Sequence, residues 1–84
     1  MSKKTPALSY FYKKIETTKK SVLYNQLEDS PLSVHEYSFA CDLIAGLTLL
    51  ELSEKYHLSY SRTSQWKREV CEKIHTFDLA NLKR

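Results

Sequence analysis

Residues 48–74 read TLLELSEKYHLSYSRTSQWKREVCEKI, and the punctuation of this stretch decides the fold. Thr48-x-x-Glu51 has the form of a capping box. The threonine hydroxyl accepts from the third backbone N–H of a helix while the glutamate reaches back to the cap. It opens a short helix with Leu49, Leu52, Ser53 and Tyr56 inward. His57-Leu58 makes a turn, and histidine is among the non-glycine residues that tolerate a left-handed backbone. Ser59 caps the next helix, whose inner face carries Thr63, Trp66, Val70 and Ile74, with Phe77 extending the stripe. Ser53 is small where the two helices must cross, Leu58 plugs the gap between them, and Thr63 and Trp66 anchor the second. A short helix, a tight turn and a longer helix of this kind make a helix-turn-helix.

Working outward, Ser33-x-x-Glu36 is a second capping box, followed by Val34, Tyr37, Ala40, Cys41 and Ile44 on one helical face. Gly46 is the expected left-handed stop. Upstream, residues 1–5 should be frayed, and Thr5-Pro6 reads as an N-cap with proline at the first helical position. Leu8, Phe11, Tyr12, Ile15, Val22, Leu23 and Leu27 form a stripe interrupted by Thr17-Thr18-Lys19-Lys20, which permits one long helix or two short ones. Pro31 marks the only internal boundary. The expected fold is all-α: a small bundle in which a tri-helical helix-turn-helix at 31–84 follows a basic amphipathic segment at 1–30 that serves packing or dimerisation. Helices are expected near 6–28, 34–45, 49–56 and 60–76, with no sheet. Phe39 and Leu43 lie opposite the Tyr37–Ile44 stripe. Together with Leu50 they call for a cover, either the N-terminal helix or a second subunit.

Composition agrees. Eighty-four residues suffice for one domain, and one glycine with two prolines is too few turn residues for an all-β protein. Residues 1–30 hold six lysines against three acids, whereas 31–84 hold seven basic and seven acidic residues, so the net charge of +3 is N-terminal. The Lys-Lys pairs at 3–4, 13–14 and 19–20 suit phosphates, anionic lipid or a solvated helix face. No apolar run reaches membrane-spanning length and no signal-peptide core is present, so no membrane partner is expected. Cys41 and Cys71 stand apart without a C-x-x-C, which points to buried thiols in a reducing cytoplasm. His35, His57 and His75 lack ligand spacing, so neither metal nor cofactor is expected. A single glycine cannot form a phosphate-cradling loop and no nucleophile–base set is legible, so an enzyme is not expected.

The chemistry lies on the outer face of the last helix. Tyr60, Ser61, Arg62, Ser64, Gln65 and Arg68 project away from Thr63 and Trp66, and no acid lies between Tyr60 and Arg68. Gln pairs bidentately with adenine and Arg with guanine in a major groove. Lys67 completes the expected DNA-binding set as a phosphate holder, with Lys73 and the lysines at 13, 14, 19 and 20 as further candidates.

Residues 48–74 also resemble the C-terminal DNA-reading region, region four, of the sigma-70 family. The match runs without a gap through Thr48, Leu49, Glu51, Leu52, Tyr56, Leu58, Ser59, Arg62 and Gln65, and ends on Lys73-Ile74. With the preceding helix it covers roughly residues 33–75. The resemblance implies a helix-turn-helix that binds double-stranded DNA in transcription regulation, with RNA polymerase as a further partner. His57 stands at the family's turn glycine. Tyr60-Ser61 replaces the family's usual Arg-Glu, so the usual promoter hexamer is not the expected target. Eighty-four residues leave no room for promoter melting, so a stand-alone sigma factor is not expected either. The leading expectation is a small regulator of bacterial, phage or mobile-element type binding an operator as a homodimer. The alternatives are a polymerase-associated adaptor and a phage DNA-packaging recognition subunit.

Overall fold

A computed structural model describes residues 6–82, among which there are five helices and no strand. They are α1 (Pro6–Thr17), α2 (Lys20–Asp29), α3 (Val34–Ala45), α4 (Leu49–Lys55) and α5 (Tyr60–Leu82). The Thr5 cap, the expected fraying of residues 1–5 and the Lys3–Lys4 pair lie outside the described residues.

The N-terminal stripe is two helices. Thr17 Oγ1 donates to the Lys13 carbonyl at 2.9 Å, and the last ladder bond of α1 runs from Thr18 N to Lys14 O at 3.0 Å. Lys19 is then extended (φ −62°, ψ 142°), and α2 restarts without a side-chain cap. It ends at Ser30, also extended, as the residue before a proline must be.

Both capping boxes form. Ser33 Oγ accepts from Glu36 N at 3.2 Å and Glu36 Oε1 accepts from Ser33 N at 2.9 Å. The Thr48–Glu51 box has the same form, at 3.2 and 2.8 Å. Gly46 terminates α3 at φ 98°; a Cβ there would meet no atom within 4 Å, so only the backbone angle requires glycine.

The helices share one core. Ala7 and Phe11 of α1 and Leu23 and Leu27 of α2 are buried with Phe39, Ala40, Leu43 and Ile44 of α3, Leu52 of α4, and Val70, Cys71 and Ile74 of α5. The N-terminal helices therefore pack within the chain. Helix α3 is central and covered on two sides, which overturns its single-stripe reading. Val34, expected inside, is 84% exposed, whereas Phe39 is 0% exposed. The Phe39 ring meets Tyr56 at 5.6 Å and Trp66 at 5.8 Å, and both Phe39 and Leu43 are buried in the core that the N-terminal helices share. On the other side Tyr37 lies within electrostatic reach of Tyr24 and Glu28 of α2.

Helix α1 lies across α5. Tyr12 touches Lys67, while Tyr10 and Lys14 reach Asp78. Neighbours on one α1 turn thus meet α5 positions about 16 Å apart, wider than a helix is thick. Helix α5 also runs past the expected end near 76 to Leu82. The added turns carry Asp78, which accepts from Tyr10 Oη at 2.7 Å and pairs with Lys14. Burial, then the Asp78 hydrogen bond, pushes the Tyr10 hydroxyl up to about 12. No helix among the described residues is long and apolar enough to cross a membrane.

Candidate nucleic-acid interface

The turn between α4 and α5 is built from its sequence. Leu58 N donates to Ser53 O at 2.9 Å, which closes the turn over the buried Ser53. His57 adopts φ 56°, the left-handed position expected of it. Ser59 Oγ accepts from Arg62 N at 3.1 Å and starts α5. Thr63 is fully buried, and its Oγ1 donates back to Ser59 O at 2.8 Å.

The C-terminal end of α4 is tied to α3 by a polar network. Asp42 accepts from Lys55 Nζ at 2.8 and 2.9 Å and from Tyr56 Oη at 2.6 Å, and Tyr56 Oη lies 2.7 Å from Ser38 Oγ. Burial first, then the Asp42 carboxylate, raises the Tyr56 hydroxyl above its ordinary range. This network fixes where the turn sits. No local pattern in the sequence announces it, because its partners are separated by 13 to 18 positions.

With its inner side held, α5 leaves one strip outward. Tyr60, Ser61, Arg62, Gln65 and Arg68 are exposed, and Ser64 is half-buried at the edge. At about 100° per residue, Ser64, Arg68, Ser61, Gln65 and Arg62 follow one another around an arc of about 160°. Arg68 and Arg62 flank Gln65 by about 60° on either side. Neither arginine has an ion-pair partner among the described residues. The first turn of α5 holds no acid, so the partial positive charge of the helix start adds to theirs.

Lys67 does not belong to this strip. It points about 160° from Gln65, and its ammonium sits 4.6 Å above the Tyr12 ring of α1. Two further expected phosphate holders are also engaged: Lys14 by Asp78, and Lys73 by Glu36 at 2.7 Å. The Lys73 hydrogen bond is the main cause that holds the Glu36 carboxyl below its usual range. Lys13, Lys19 and Lys20 are exposed, but Lys13 lines an open groove of about 600 Å³ with Phe77, Asp78 and Asn81 at the far end of α5.

Trp66, expected on the inner face as a core anchor, packs against the core but is only half-buried. Its ring packs on Phe39 and lies 6.0 Å from Tyr56, and its other side lines a cleft of about 500 Å³ with His35, Glu36, Glu69 and Lys73. Acids enter the strip only beyond Arg68. Glu69 Oε2 accepts from Gln65 Nε2 at 3.4 Å, and Glu72 is exposed one turn further from Arg68. On α4, Leu50 stays 60% exposed beside the exposed Glu51 and Glu54. Among the described residues no group of His, Cys, Asp or Glu could hold a metal ion.

Comparison with known proteins returns no matching family model, no matching curated protein and no matching solved structure.

Proposed function

We propose that the chain is a cytoplasmic, sequence-specific double-stranded DNA-binding transcription regulator, with α4, the turn and α5 acting as a helix-turn-helix of the sigma region-four kind. One observation carries this reading. The first turns of α5 present two arginines without ion-pair partners among the described residues and an uncharged Gln65 between them, on a helix whose opposite face packs through Thr63 and Trp66. A rigid helix with a basic, acid-free leading strip meets the two needs of groove recognition, attraction to phosphate and hydrogen bonding to base edges. Gln65 takes the base-reading role. Arg62 and Arg68 contact guanine or the flanking phosphates, and Ser61, Ser64 and Tyr60 border the contact. Lys67 serves the α1 packing instead.

The test begins by selecting bound duplexes from a random pool, which yields the site and, if it is palindromic, a dimer. On the selected duplex Gln65→Ala should cost about 1–3 kcal/mol while leaving an unrelated duplex almost unaffected. Removing one phosphate-holding arginine should lower the salt slope by about one on every sequence. No binding by the wild-type chain at low salt would overturn the reading. A protein-adaptor role is the second reading, favoured by Leu50 remaining exposed next to two acids on α4, a surface unsuited to phosphate. It predicts binding to RNA polymerase that Leu50→Ser abolishes and Gln65→Ala does not.

A further inference from the structure

The two ends of a glutamine amide ask for opposite partners, so a reading glutamine is only as selective as its amide is oriented. A free Gln side chain rotates its terminal amide. It can then offer the carbonyl to the amino group of adenine or cytosine, or the NH₂ to the acceptors of guanine. Gln65 has a neighbour that favours one amide orientation over the other. Its Nε2 donates to Glu69 Oε2 at 3.4 Å, one helical turn along the same exposed strip. The reversed amide would set the Gln65 carbonyl against the Glu69 carboxylate, two acceptors facing each other. Pairs of this type at i, i+4 on a helix are mutually reachable without distortion. With one N–H on Glu69, the side chain keeps its second N–H and its carbonyl, the set that pairs with adenine N7 and N6.

We propose that Glu69 is a positioning residue that fixes the Gln65 amide and thereby makes α5 selective for adenine at the base pair Gln65 reads. The inference rests on the DNA-binding reading above. Glu69 also has a second, separable effect. Its charge repels phosphate, so losing it strengthens binding to every duplex alike. Two substitutions divide these effects. Glu69→Ala removes both charge and acceptor, whereas Glu69→Gln removes the charge and keeps a carbonyl that can accept from Gln65.

The probes are the duplex recovered from random-pool selection, its three single-base-pair variants at the Gln65 position, and an unrelated duplex of equal length. Both variants should bind the unrelated duplex more tightly than wild type. Glu69→Ala should lose about 1.5- to twofold of the preference for adenine, the worth of one exposed side-chain pair at i, i+4 on a helix, while Glu69→Gln keeps most of it. Equal thermal stability of the variants would confirm that folding is unaffected. The proposal is overturned if Glu69→Ala keeps the wild-type base preference, or if both variants broaden it equally. Either result leaves the DNA-binding reading standing as long as Gln65→Ala still weakens the selected site. Failure of the wild-type chain to bind any duplex removes that reading, and this inference with it.

Discussion

Truncating Phe39 should remove a quarter or more of the chain's stability, while truncating Val34, five positions earlier on the same helix, should do almost nothing. Phe39 is fully buried and its ring joins Tyr56 and Trp66, so it links α3 to both helices of the proposed reading unit. Phe→Ala at such a site costs about 3–5 kcal/mol, through lost transfer energy and the cavity left behind. A chain of this length is expected to hold about 4–13 kcal/mol in total. The loss is thus between a quarter and all of the stability, and the melting temperature should fall by about 12–40 °C. Val34 at 84% exposure has almost nothing to lose, and Val34→Ala should stay within about 0.5 kcal/mol. Urea denaturation followed by far-ultraviolet circular dichroism and by the single tryptophan would measure both, the midpoints being compared at equal slope. If Phe39→Ala proves too unstable to titrate, Phe39→Leu gives a graded loss. The reasoning is refuted if Phe39→Ala lies within about 1 kcal/mol of wild type, or if Val34→Ala costs as much as Phe39→Ala.

Other consequences follow from single residues. His57→Gly should stabilise the chain by up to about 1 kcal/mol, because relief of the left-handed strain exceeds the added freedom of glycine in the unfolded state; a lower urea midpoint would contradict the turn geometry. Glu36 is held below its ordinary value of 4.5 mainly by Lys73, so its stabilisation is fully present above that value and is lost as pH falls through the lower, folded one. Glu36→Gln should therefore flatten the stability profile below about pH 4.5, and an unchanged acid limb would show that the pair contributes nothing. Burial pushes the Cys71 thiol up to about 12, so iodoacetamide at pH 8 should label it only after denaturant is added. Because the unfolded thiol ionises first, stability should also decline as pH rises above 9, and Cys71→Ala should remove that component of the decline.

The residues of the proposed interface divide the same way as the core. Gln65, Arg62, Arg68 and Ser61 were legible because their exposure follows from the phase of Thr63, a residue on their own helix. The contacts of Lys67, Lys14 and Lys73 were not legible because a lysine stem spans several ångströms and its end is placed by whatever lies across from it. Tyr12, Asp78 and Glu36 do that here, and each lies on another helix. Glu69 lay one turn from Gln65 in plain sight, but its bearing on Gln65 shows only once both side chains are seen on one exposed strip.

What the chain's letters determined by themselves are its local starts and stops. Ser33 with Glu36, Thr48 with Glu51, Gly46, His57 and Ser59 each act within four residues of backbone, where hydrogen-bond geometry and left-handed tolerance leave few choices. The all-α class follows from them together with the helical periodicity of the apolar residues. Tertiary structure alone decided which faces are inside. Helix α3 is sandwiched between α2 and the α4–α5 pair, so it has no single apolar stripe, and its buried set includes Phe39 and leaves out Val34. The crossing of α1 over α5, and the extra α5 turns that carry Asp78 to meet it, were equally out of reach. Side-chain burial depends on what packs against a helix, and the partner helices here are brought together by chain reversals that no periodicity within one helix encodes.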